Sequence, residues 1–162
     1  MHGKQILFVL FFFTIVMGAC RGRGAHGGGP SREGDTLEAL KEAVQDSIRT
    51  LNVDFVRTAI RQGKALSRDS DDYYSFVLYA SMLDFYTSEA DSLLLNMQRI
   101  SGYVSRHAST PFRESLRVKC LQAKGAYYAQ FRLDLDSLTH YCREAARASE
   151  AQPDQRLRLL SY

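Results

Sequence analysis

From Leu37 onward, apolar side chains fall at three- and four-residue steps: Leu37, Leu40, Val44, Ile48 and Leu51. That spacing lines one face of a helix. Asp35, with Glu38 three places on, predicts a cap at its start, and Asn52 predicts a break and a new cap. Phe55, Val56, Ala59, Ile60, Gly63 and Leu66 make the next stripe. Ser67 to Asp72 is a polar turn, after which Tyr73 to Tyr86 is apolar nearly all round. Tyr, Phe and Val there also suit a strand, but the length and the lack of alternation predict a helix packed on both sides. Ser88-Glu89-Ala90-Asp91 has the composition of a cap and opens a stripe of Leu93, Leu94, Met97, Ile100 and Val104. Thr110-Pro111 opens another, with proline where its missing N–H costs nothing, and Leu116, Cys120, Ala123, Tyr127 and Phe131 face inward. Asp134-Leu135-Asp136 turns the chain into Leu138, Tyr141, Cys142 and Ala145, and a last helix is expected after Pro153.

The helices therefore come in pairs. Asp91-Ser92-Leu93 and Asp136-Ser137-Leu138 occupy the same place in successive pairs, each preceded by an aromatic, Tyr86 or Phe131. Pairs recurring at about forty residues are the mark of a stacked solenoid. The expected fold is all-α: an antiparallel helix-pair solenoid of two to three pairs over residues 35–162.

The pattern resembles tetratricopeptide repeats. Gly125 falls on that motif's small contact residue, Tyr128 on its first-helix aromatic, Ser137 on its small second-helix residue and Tyr141 on the later aromatic. Ala80, Leu83, Ser92 and Asn96 are the equivalents one unit earlier, although Asn96 stands where an apolar ring is usual. The motif's late alanine is displaced to Ala145, and the proline after it is missing unless Pro153 serves. Such stacks hold a peptide or partner helix on the face built from first helices. The resemblance implies a groove at Tyr74, Val77, Ser81, Asp84, Lys119 and Gln122.

Upstream, Lys4 precedes a run from Ile6 to Met17 that carries one hydroxyl and no charge. As a helix it would be roughly 18 Å long, short of a bilayer core of about 30 Å. A cation, a short apolar stretch and small residues form a secretory leader. Met17-Gly18-Ala19-Cys20 resembles the cleavage box of bacterial lipoprotein precursors, with Met17 where leucine is usual. The resemblance implies a signal peptide over 1–19, lipid on Cys20 and anchorage of an exported protein in the cell membrane or outer membrane, facing the periplasm. Two or three acyl chains would hold far more durably than one. Residues 20–34, rich in glycine with Pro30, read as a flexible tether.

Of 21 Lys and Arg side chains the leader removes only Lys4, leaving 20 against 18 Asp and Glu, which gives no reason to expect nucleic acid. His26, His107 and His140 lie apart, and His140 with Cys142 is the nearest approach to a zinc site, so no metal or cofactor is expected. Nothing groups Ser, His and Asp, and Gly27-Gly28-Gly29 lacks the Lys and Ser/Thr of a phosphate loop. Cys120 and Cys142 are expected to be offset by about 6 Å along neighbouring helices, which suits two small buried side chains better than a disulfide.

The expectation is an interaction module rather than an enzyme, held to the membrane through Cys20 and contacting an envelope protein or peptide. Two alternatives stay open. The chain can be a truncated periplasmic sensor region of a histidine kinase or regulator, stacking through an open C-terminal end, or a lipoprotein that binds a metabolite or glycan.

Overall fold

The computed structural model describes residues 32–150. The leader, Cys20 and the helix expected after Pro153 lie outside them. Within them are six α-helices and one π-helical turn: α1 (Arg32–Arg49), α2 (Val53–Leu66), α3 (Ser70–Tyr86), α4 (Ala90–Arg106), α5 (Pro111–Tyr127), the π turn Tyr128–Arg132 and α6 (Leu135–Glu150). No strand occurs among the described residues, so Tyr73 to Tyr86 is helical as its lack of alternation predicts.

Caps set most of the boundaries. The side chain of Asn52 accepts from the Phe55 N–H at 3.4 Å, that of Asp69 from Asp72 at 2.8 Å and that of Thr110 from Arg113 at 3.2 Å, with Pro111 in the first turn of α5. Each satisfies an N–H that the helix cannot. Two starts differ from expectation. Backbone helix already begins at Arg32, upstream of Asp35. Ser88 is not a cap but adopts φ 61°, and Glu89 follows as the N-cap residue without a side-chain cap bond.

The described residues form two compact units, α1–α4 up to His107 and α5–α6 from Ala108. In the first, α1 packs on α2 and α3, while α3 also packs on α2 and α4. Lys41 meets Asp72 at 2.6 Å and Gln45 donates to the Tyr79 hydroxyl at 2.6 Å, so α1 and α3 run in the same direction. Burial opposes the charge on Lys41, but Asp72 and Glu38 together outweigh it and raise the pKa. The α2–α3 contact is close: a Cβ on Gly63 would lie 2.2 Å from the Phe76 ring. Glycine is required there because the fully buried Phe76 takes the space. Val44, Ile48, Val56, Phe76, Leu93, Met97 and Ile100 make the core, each contributing about 1.5–3 kcal/mol of apolar burial.

In the second unit α5 and α6 pack along their length. Leu138, Tyr141 and Cys142 surround Gly125, where a Cβ would sit at 3.4–3.7 Å from them. Tyr128 stacks on Tyr141 with ring centres 5.4 Å apart. Cys120 is buried, Cys142 is half-buried with its thiol pKa raised by burial, and the two are unbridged.

Candidate functional site

Three turns share one design. Leu51, Ser88 and Leu133, spaced 37 and 45 residues apart, are the non-glycine residues with positive φ among the described residues. Each joins the two helices of a pair and is followed at once by the residue before the next helix: Asn52, Glu89 or Asp134. The first two close as Schellman motifs. There the N–H of Asn52 reaches the carbonyl of Ser47 and that of Leu51 reaches Ile48, just as Glu89 reaches Asp84 and Ser88 reaches Phe85. The third is one residue wider. Leu133 and Asp134 both donate to Tyr128, and the extra residue is taken up as the π turn. Asp54, Asp91 and Asp136 then fall second in their helices, where a negative charge suits the helix N-terminus. The next turns align too: Val56, Ala59, Ile60 and Gly63 correspond to Leu93, Asn96, Met97 and Ile100, all buried, and to Leu138, Tyr141, Cys142 and Ala145. In the sequence the Asp-Ser-Leu signal marks only the second and third pairs. The first pair carries Asp54-Phe55-Val56 in its place.

The same register explains the residues expected to line a groove. Tyr74 stacks on Tyr103 of α4, with ring centres 4.0 Å apart and planes within 10°. Asp84, on the same side of α3, accepts a 2.9 Å hydrogen bond from the Asn96 amide of α4. Val77 and Ser81 lie between them, 0% and 1% exposed, and the Ser81 hydroxyl donates to the Val77 carbonyl at 3.0 Å. This face is therefore the seam within one hairpin, closed to a peptide. A buried stripe on one helix says that something covers it but not which neighbour does. Lys119 and Gln122 belong to the other unit, Gln122 buried and Lys119 partly exposed.

At its far end the seam holds the chemistry. Asp84 is 9% exposed and Asn96 8%. Asn96, which breaks the repeat pattern, is thus the partner of the buried acid. Burial is the main cause that raises the Asp84 pKa, with the Glu89 charge adding to it against the Asn96 bond and the cations Lys64 and Arg57. Lys64 of α2 has its own pKa lowered, first by burial and then by Arg99. Glu89 bridges to Arg57 of α2 and accepts from the Thr87 hydroxyl at 3.3 Å. At the other end, Tyr103 donates to Asp71 and its ring lies 4.5 Å from that of His107.

Among the described residues no group of three or more His, Cys, Asp and Glu is arranged to hold a metal ion. No described helix is long and apolar enough to cross a membrane. The solvent side carries Leu51, Phe55 and Leu66 around α2 and Leu95 on α4, all 42–53% exposed. Comparison of the chain with family models, curated proteins and solved structures finds no match.

Proposed function

We propose that the chain is a lipid-anchored, extracytoplasmic protein whose tetratricopeptide-like helix pairs act as an interaction module in the bacterial cell envelope. The anchor rests on the leader and on Met17-Gly18-Ala19-Cys20. The observation that carries the module reading is the threefold turn, with its left-handed residue, cap, second-place aspartate and aligned buried positions. Stacked pairs of one design extend a surface without building a pocket.

A second feature supports the stack. In α3, Phe76, Tyr79 and Leu83 are buried, and they correspond to Ala39, Glu42 and Asp46 of α1, all exposed. Charge at Glu42 and Asp46, where α3 buries Tyr79 and Leu83, suits a capping helix. Partner contact then falls to exposed apolar side chains such as Phe55 and Leu66 rather than to the α3 seam.

The anchor is tested by growing cells with labelled palmitate. The wild-type chain should take up label and fractionate with membranes, and Cys20→Ser should do neither. Label that persists in Cys20→Ser, or an unprocessed cytosolic product, refutes the anchor. For the surface, a photo-crosslinking residue at position 55 or 66 should give discrete adducts with an envelope protein, and one at position 77 should give none. Adducts at 77 alone would return the binding surface to the seam.

A further inference from the structure

We propose that the seam around Asp84 makes the first unit acid-responsive, its folded form gaining stability as the surrounding pH falls. Among the described hairpins the device is built into this one alone. Asp84 corresponds to Ser47 and, across the wider third turn, to Tyr128, and Asn96 to Ala59 and Tyr141, so neither neighbour has an acid–amide bond there. Asp84 is also wired to the turn. Its side chain holds Asn96, while its carbonyl accepts the Glu89 N–H at 2.8 Å that closes the Schellman motif. Glu89 in turn bridges to Arg57, which ties the turn to α2.

The charged and titratable groups that weigh on Asp84 are Arg57 and Lys64 from α2 and Glu89 from the turn, with Arg99 of α4 acting on Lys64. Neither cation forms an ion pair with Asp84, so the buried carboxylate stays largely uncompensated and its proton affinity is raised. The folded unit then binds a proton that the unfolded chain releases more readily. Stability is withheld at neutral pH and regained as pH falls through the folded pKa, with no further gain below the ordinary value of 3.8. A neutral acid keeps the Asn96 bond, because its carbonyl oxygen still accepts. The use of such a response by a cell rests on the extracytoplasmic location proposed above; its existence does not, and the test is blind to location.

The test is thermal melting of the full chain in mild detergent between about pH 7.5 and about pH 4.5, for wild type and Asp84→Asn. Relative to the variant, wild type should gain several degrees on acidification. Glu89→Gln should shrink that gain and Lys64→Met should enlarge it. Carbon-detected NMR of the wild-type chain should show the Asp84 carboxyl titrating above the other aspartates. Melting curves of wild type and Asp84→Asn that move in parallel overturn the proposal. So does an Asp84 carboxyl that titrates at or below the ordinary value, which decides the matter even where Asp84→Asn fails to fold.

Discussion

The hairpins α3–α4 and α5–α6 turn through the same left-handed position, the second with one extra residue, and close in different ways. Both pass through a left-handed residue, Ser88 or Leu133, into a second helix with aspartate in second place. The α3–α4 seam then buries an acid and an amide, whereas α5–α6 sets tyrosine on tyrosine at Tyr128 and Tyr141. Turn geometry is a local property of a few residues, so it repeats. Seam chemistry depends on what each pair must exclude or hold, so it drifts.

The glycines sharpen this contrast most. Gly63 has no room for a methyl group, since the Phe76 ring lies within 2.2 Å of where it would go and cannot retreat from a fully buried site. Gly63→Ala should destabilise the first unit by about 2–3 kcal/mol, overpacking outweighing the better helix propensity of alanine. Shortening the ring as well, in Gly63→Ala with Phe76→Leu, should recover part of the loss. Around Gly125 the nearest atoms stand at ordinary contact distance. Gly125→Ala should be neutral or stabilise the chain by up to about 1 kcal/mol. Urea unfolding of the two single variants measures both, and equal losses would show that the glycines share one packing role.

Much of this was legible in the chain. The stripes, the cap at Asn52, the helix start at Thr110-Pro111 and the turn at Asp134 follow from period and punctuation, because these act over a few residues. The left-handed turns were not, since leucine and serine do not advertise positive φ as glycine does. Asn96 was visible as a departure from the repeat, whereas Asp84 was read only as a groove position. Their pairing needs the antiparallel register of α3 and α4, which no single-helix pattern contains. The same gap set the buried Val77 and Ser81 on an open groove.

The cap residues give the next smaller effect. Asp134 accepts from the Ser137 N–H at 3.0 Å and from its hydroxyl at 2.6 Å, and these bonds lower its pKa. Glu89, at the equivalent place, makes no cap bond and spends its side chain on an exposed bridge to Arg57. Asp134→Ala should lower the melting temperature by about 4 °C, and Glu89→Ala by about 2 °C or less. The pH responses should oppose each other as well. A lowered carboxyl pKa contributes stability that is present above the ordinary value of 3.8 and lost as pH falls through the folded one. Acid therefore weakens the Asp134 cap while it relieves Asp84.

The smallest expected effect concerns the left-handed residues themselves. Leu133 has φ 52° and is 72% exposed, so its side chain gains little from burial while its Cβ crowds the backbone. Leu133→Gly removes that crowding but gives the unfolded chain more freedom to lose. The balance should favour glycine by about 0.5–1 kcal/mol, because helix ends of this kind are where glycine is preferred. Leu51→Gly, at φ 55° and 53% exposed, should gain less, since more of its side chain is already covered. Thermal melting of both variants checks the order. A loss in Leu133→Gly would mean that the leucine stabilises the π turn through contacts its exposure does not suggest.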